Sequence, residues 1–415
     1  MTTPHPRDRV TRRAIGVWLA AVAVYVVAIT GRTSFGVAGL DAMGRFDVDA
    51  TRIAVFTSVQ VGVYALAQIP VGLLIDRLGP RFMLVAGALV MASGQALLGF
   101  TESYPLAIGA RVLIGAGDAT AFLSALRLLP YWFPLKRTPL FTQLTASIGQ
   151  VGQFLSAFPF MALLHAQGWT AAFVTLAAVG ALVGIAAFVA VADSPDEAPA
   201  KGEGARMPVG KILTSVLRSP LCWEAFTIHG LGMFFAINFT LLWGIPLMVQ
   251  GMGLTPAQGA TVLTVFTLST MIGGPLLAPL SARTGPNRDV AAAVIAAAHC
   301  AAWVWFFASG EPRGFAAILA LVVVMGAATP VSNFGFDTVR EKMPRNIVAS
   351  GTGLGNMGGF TSCMLSAQLI GMILDSVAPA GNYTWGDFRV AWIAVFAIWG
   401  ALLAGMFTAR AFVKR

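Results

Sequence analysis

Gly72-Leu73-Leu74-Ile75-Asp76-Arg77-Leu78-Gly79-Pro80-Arg81 separates two long apolar runs, 52–75 and 82–101. Each run is long enough to cross a bilayer as a helix. Asp76 and Arg77 follow directly on the first run, which places them at a membrane surface. Gly79 permits a tight turn that most residues make only at a cost. An acidic residue at a helix end, with two arginines nearby, can form a charge relay between neighbouring helices. Such a relay can hold one face of a protein shut in one state and break in another. The plainer alternative is a turn that carries surface charges.

The rest of the chain extends this membrane pattern. It is 57% hydrophobic and 11% charged, against about 25% charged residues in a soluble domain. Twelve runs of spanning length are legible: 14–40, 52–75, 82–101, 105–133, 138–164, 169–192, 221–248, 257–282, 289–309, 314–336, 347–374 and 388–409. In lipid these must be helices, because a helix satisfies its own backbone hydrogen bonds. The expected fold class is therefore an all-α integral membrane protein with twelve transmembrane helices. The first run is too long for the core of a signal peptide and is read as the first span.

The net charge of +9 does not point to nucleic acid, because of how it is distributed. An even number of spans puts both termini on one side. Arg45, Arg52, Arg313 and Arg389 then fall in outer loops, and Arg32, Arg111 and Arg127 fall inside spans. The rest of the 27 basic residues lie in the segments on the side of the termini. By the positive-inside rule both termini are cytoplasmic, in the inner membrane of the cell. Cys222, Cys300 and Cys363 show no paired spacing and read as small apolar residues.

Residues 193–220 break the apolar pattern with Pro195, Asp196, Glu197, Pro199, Gly202, Glu203 and Pro208. This segment reads as a cytoplasmic linker with a short surface helix near Val209–Leu217. It divides the chain into an N-terminal six-helix bundle, 1–192, and a C-terminal one, 221–415. The halves echo each other. Arg77-Leu78-Gly79-Pro80 returns as Arg283-Thr284-Gly285-Pro286, and Asp76 becomes Ala282. Gly149, Gly152 and Pro159 interrupt the fifth span, while Gly351, Gly353, Gly355, Gly358 and Gly359 crowd the eleventh. Small residues there let helices approach closely.

The spacing G-x-x-x-D-R-x-G-x-R resembles the loop between the second and third helices of the major facilitator superfamily of secondary transporters. The resemblance covers nearly the whole chain. It implies two pseudo-symmetric six-helix bundles around a site near the midplane. It also implies transport by alternating access, by a monomer, with Gly72, Asp76, Arg77, Gly79 and Arg81 in a gating loop.

Charges inside spans are costly and mark function by default. Arg32 lies in the first span with Tyr25 seven residues earlier on the same face. Its planar fork suits a carboxylate or phosphate; the alternative is a structural ion pair. Arg111 and Asp118 are seven residues apart in the fourth span and point the same way. Burial favours a proton on Asp118, and a nearby arginine favours its charge, so Asp118 can exchange a proton as the protein changes state. A permanent Arg111–Asp118 pair is the alternative. Arg127 is on the opposite face from Asp118 and is expected to reach the cytoplasmic surface.

Polar residues on helical faces supply further substrate-binding candidates. Gln60, Tyr64 and Gln68 are spaced by four in the second span, and Gln150 lies in the fifth. Asn238 falls opposite Arg32 by the repeat offset, Trp243 offers an apolar wall, and Asn356 sits among the glycines of the eleventh span. Interhelical hydrogen bonding is the alternative for each. His229, in the seventh span, is a second proton-coupling candidate, with packing as its plainer role.

The first-span arginine, the Arg-x6-Asp spacing and Tyr131-Trp132-Phe133-Pro134 resemble the anion:cation symporter branch of the superfamily. That branch moves sugar acids and other organic anions, commonly with protons. It often has an acid just before the arginine; here that position is Gly31, which leaves Asp118 as the main carrier-like carboxylate. The resemblance implies a small anionic substrate, a proton as coupling ion and no other cofactor. Four alternatives stand beside it: a nitrate/nitrite porter, an anion exchanger, a drug/proton antiporter and a non-transporting ligand sensor. The nitrate porters place arginines in the second and eighth spans, which here contain no internal arginine. An enzyme is not expected, since no nucleophile–base pair, phosphate loop or metal-ligand cluster is legible.

Overall fold

Helix is the regular structure throughout the described residues, as a backbone in lipid requires. The computed structural model describes residues 9–48, 50–195, 207–378 and 382–413. Residues 196–206 of the expected linker lie outside the described residues. The first helices are α1 (Arg12–Val37), α2 (Gly39–Phe46), α3 (Ala50–Leu78), α4 (Pro80–Phe100), α5 (Tyr104–Trp132), α6 (Thr138–Gly149), α7 (Val151–Leu155) and α8 (Met161–Ala190). Then follow α9 (Val209–Leu217), α10 (Pro220–Asn238), α11 (Gly244–Pro246), α12 (Pro256–Thr284), α13 (Arg288–Phe307), α14 (Gly314–Ala328), α15 (Phe334–Lys342), α16 (Val348–Val377) and α17 (Trp385–Phe412).

Among the described residues, ten continuous stretches are long and apolar enough to cross a membrane. Two of them, Leu135–Ala190 and Pro256–Phe307, run to 56 and 52 residues. One crossing needs about 20 residues, so each of the two holds a pair of crossings. The first breaks at Gly168, where φ is +82°, a conformation that a side chain resists. The second breaks at the short 3-10 turn Gly285–Asn287. Counted this way, the ten stretches are the twelve expected spans.

The chain forms two compact units. The first comprises Met1–Val216 together with Met343–Gly353; the second comprises Leu217–Lys342 and Leu354–Arg415. The first unit therefore takes in the start of α16, a segment that belongs to the other half by sequence. Its core is stitched by Phe35 stacked on Phe56 at 4.5 Å and by Trp169 packed on Phe173 at 4.4 Å. The second unit has an aromatic core of its own. Trp303 stacks on Trp392 at 4.9 Å, and Phe307 on Trp385 at 5.1 Å.

Among the described residues three segments wind as π-helix: Ser156–Phe160 around Pro159 in the first unit, and Phe239–Trp243 and Leu247–Gly251 on either side of α11 in the second. Proline removes a backbone donor and strains the turn before it, which favours such a wider turn.

Candidate functional site

In the first unit α1 and α5 bring Arg32 and Asp118 together. Arg32 donates to both carboxylate oxygens, Nε to Oδ2 at 2.6 Å and Nη2 to Oδ1 at 2.9 Å. The Asp118 side chain is wholly buried, whereas Arg32 keeps 22% of its side chain exposed. The pair is thus a two-pronged, charge-assisted contact with one open edge. The Arg32 guanidinium also lies 4.6 Å from the centre of the Tyr64 ring on α3. Tyr25 is buried on α1 and packs on Phe122 at 5.1 Å.

The alternative of a permanent Arg111–Asp118 pair is not what forms: the partner of Asp118 is Arg32. Residues seven apart on one helix are separated by about 10.5 Å along its axis, too far for a direct bond. An arginine from a neighbouring helix closes that distance. Arg111 itself is buried without an ion-pair partner among the described residues. Its Nε lies 3.5 Å from the Phe56 carbonyl, its guanidinium rests 4.7 Å from the Phe35 ring, and its Nη1 has no partner.

The polar face of α3 runs past this pair. Gln68 donates to the Tyr64 carbonyl at 3.0 Å. Gln60 is buried with neither amide atom bonded. Gln150 accepts from Gln153 at 2.5 Å. The preceding Gly149 packs so closely that a Cβ there would lie 2.8 Å from Tyr25 Cδ1. Tyr25, Arg32, Tyr64 and Asp118 therefore meet, with Gln60, Gln68, Gln150 and Arg111 on the adjoining turns.

The signature loop is not a turn of solvated charges. Asp76 is buried and accepts four bonds: from Arg127 Nε at 3.2 Å, Ala349 N at 3.1 Å, Ser350 N at 2.9 Å and Ser350 Oγ at 2.8 Å. It caps the first residues of α16, where free amides and the helix dipole favour an anion. Arg127 was expected to reach the cytoplasmic surface. It is only 5% exposed, because a buried carboxylate requires a counter-charge. Its other arm donates to the Arg345 carbonyl at 2.7 Å.

Gly72 lets this contact form. A Cβ there would come within 2.7 Å of Ala349 O and Ser350 Cα, both backbone atoms. Gly79 turns the chain at φ +88°. The Arg81 amide then donates to Asp193 Oδ1 at 2.7 Å, while its guanidinium donates to the Phe188 carbonyl. Burial raises the Asp193 carboxyl above the usual carboxylate range, and the bond from Arg81 opposes that rise. Arg77 alone stays exposed, donating to the Met207 carbonyl at 3.2 Å.

The remaining candidates belong to the second unit. Asn238 Nδ2 donates to the Phe234 carbonyl at 2.9 Å and to Ser366 Oγ, leaving Oδ1 without a partner. Trp243 donates to the Ala367 carbonyl at 3.2 Å, so both residues meet the same turn of α16. His229 lies elsewhere on α10. Its Nδ1 is 3.2 Å from the Ser332 carbonyl, its ring packs on Phe336 at 4.7 Å, and Nε2 has no partner. Asn356 is buried in α16.

A charged cluster in this unit escaped the sequence reading. Arg288 donates to both oxygens of Glu341 at 2.6 and 2.7 Å and to the Ser281 carbonyl at 2.8 Å. Ser281 Oγ donates to Asp337 at 2.6 Å, and Arg340 pairs with Asp337 at 2.9 Å. Arg410 pairs with Asp289. The available signal was Asp337, Arg340 and Glu341 at helical spacing directly after an apolar run.

The profile of the Major Facilitator Superfamily matches residues 21–367. This chain belongs to that superfamily. It is a multi-pass membrane transporter and not an enzyme. The Bos taurus monocarboxylate transporter 13 is 27% identical over 395 residues, covering 89% of this transporter and 84% of that protein. A putative tartrate transporter of Agrobacterium vitis is 22% identical over 393 residues, covering 89% and 85%. The probable L-galactonate transporter of Escherichia coli strain K12 is 28% identical over 160 residues, 39% of this chain. That alignment spans 35% of the L-galactonate protein, so only about a third of it is matched. In fold, this transporter is similar to the E. coli fucose:proton symporter FucP. The TM-score is 0.71 at 16% identity, over 97% of this chain and 100% of the other.

Proposed function

We propose that this transporter moves a small organic anion, a carboxylate or sugar acid, with a proton carried on Asp118. The observation that carries the reading is the Arg32–Asp118 pair. While Asp118 is ionised it occupies both prongs of Arg32. Protonation removes the charge that holds the fork, and Arg32 is then available to a substrate carboxylate at its open edge. Tyr25 and Tyr64 wall this position, and Arg111 adds positive potential. Proton and anion each favour binding of the other, and such couplings are worth about 1–3 kcal/mol. The names of the tartrate, L-galactonate and monocarboxylate transporters support an organic acid as cargo. The clustering of basic residues supports cytoplasmic termini in an inner membrane, and the protein is read as acting as a monomer.

The test is uptake of L-tartrate and L-galactonate into proteoliposomes. Wild-type protein is expected to accumulate at least one of them when the outside is made acid, and to stop when the gradient is collapsed. Asp118→Asn cannot ionise, so it should lose accumulation yet still exchange labelled for unlabelled substrate. Undiminished pH-driven accumulation in Asp118→Asn would remove this residue from the mechanism. Exchange in wild-type protein without any response to pH would convert the reading to an anion exchanger.

A further inference from the structure

Gln60 is 1% exposed, and neither its Nε2 nor its Oε1 has a hydrogen-bond partner. A glutamine in a membrane helix ordinarily bonds a neighbouring helix or its own backbone. Gln68, two turns further along the same face of α3, does so through the Tyr64 carbonyl. Gln60 does not, although α5 is close. A Cβ on Gly115 would lie 2.6 Å from the Gln60 carbonyl oxygen and 3.3 Å from its Cγ.

The neighbours of Gln60 show what it adjoins. One turn before it is Phe56, whose carbonyl faces Arg111 Nε and whose arginine neighbour has an unpartnered Nη1. One turn after it is Tyr64, whose ring underlies the Arg32 guanidinium. Gln60 thus sits between the levels of Arg111 and Arg32 and adds an amide whose donor and acceptor are both unused. Carboxylates only accept hydrogen bonds, so an arginine serves them and the amide oxygen does not. A hydroxyl both donates and accepts, which matches an amide's two ends. An unpartnered buried amide destabilises the fold, and such groups persist where function retains them.

We infer that Gln60 recognises a hydroxyl of the substrate, making this transporter selective for hydroxylated organic acids over bare ones. The inference rests on the organic-anion reading above and sharpens it. Gln60 acts here as a specificity-determining residue, separate from the arginines that hold the carboxylate.

Two acid pairs matched in carbon number and charge test it: L-tartrate with succinate, and D-gluconate with hexanoate. Binding is measured by calorimetry on the full-length transporter in nanodiscs, for wild type and Gln60→Leu. Wild type is expected to prefer the hydroxylated member of at least one pair by about tenfold or more, because a site built for a hydroxyl rejects the analogue that lacks it. Gln60→Leu should bring that pair within about threefold by weakening the hydroxylated member alone. Its melting temperature should be unchanged or higher, since an unbonded amide has been removed. Equal wild-type binding within both pairs would overturn the Gln60 assignment and leave the organic-anion reading standing. So would a Gln60→Leu variant that melts lower with its discrimination intact. Wild-type protein that binds none of the four acids would sink both readings.

Discussion

The two units carry their charge in different places. The first keeps Arg32, Asp118 and Arg111 within membrane spans, with Arg32 and Asp118 bonded to each other. In the second, the counterpart of Arg32 is Asn238, bonded to Phe234 and Ser366. Three ion pairs of that unit lie toward the ends of helices, Arg288–Glu341, Arg340–Asp337 and Arg410–Asp289. A charge deep in a span is expensive. It is kept where it can bind an ion or a proton, and elsewhere an amide and a hydroxyl suffice. On the function proposed above, the difference separates ion chemistry in the first unit from helix fastening by these pairs in the second.

The sharpest way to break this comparison is Arg32. Arg32→Ala strands Asp118, and removing one member of a buried pair costs about 3–5 kcal/mol. Thermal denaturation should show a large loss of folded protein. Replacing both members, Arg32→Met with Asp118→Leu, should restore much of that stability without restoring transport. Arg32→Lys keeps the charge but not the fork, so it should fold and fail to take up substrate. Normal uptake by Arg32→Lys would return the pair to a merely structural role.

A smaller effect is expected in the second unit. Arg288→Leu removes the two bonds to Glu341 and those to the Ser281 carbonyl and hydroxyl, a loss of about 2 kcal/mol. Transport per folded molecule should stay within about twofold of wild type, since bonds that only fasten helices do not enter the reaction. A variant that folds fully but cannot transport would place this cluster in the transport cycle and erase the division of labour.

The smallest effect is that of Asn238→Ala. It deletes the two donated bonds but also an oxygen with no partner. The net cost is about 1 kcal/mol or less, read as a slight fall in melting temperature. If instead substrate affinity collapses, the uncharged counterpart of Arg32 is a substrate ligand, and the second unit shares the recognition.

Much of the fold was legible because lipid leaves a chain few choices. Apolar runs gave the twelve spans, and the spacing from Gly72 to Arg81 gave the family. The linker helix lies at Val209–Leu217, where the sequence placed it. Pairing between helices was not legible in the same way. Periodicity says which residues share a face of one helix and nothing about which helix faces it. Arg32 and Asp118 are 86 positions apart, and Arg127 and Asp76 are 51 apart. So the sequence leaves open which arginine holds Asp118, and it places Arg127 at the surface although Arg127 is buried against Asp76. The Arg288 cluster was hidden for a different reason. The repeat made Ala282 look like a lost acid, while Asp337 supplies one from another helix.

The capping of α16 by Asp76 has a consequence for how the protein is made. Ala349 follows Asp76 by 273 residues, whereas Arg127 follows it by 51. At about 5–20 residues per second, the ribosome reaches Ala349 roughly 15–55 seconds after Asp76. Once Arg127 has been made, and for the rest of that interval, the nascent first unit has its arginine but not its amides. Its compact form includes Met343–Gly353, so it completes only when most of the other half has been translated. A chain released before Ser350 would leave Asp76 with Arg127 and without its bonds from that serine, a defect that the cell's membrane quality control would meet as an incompletely paired acid inside a finished-looking bundle.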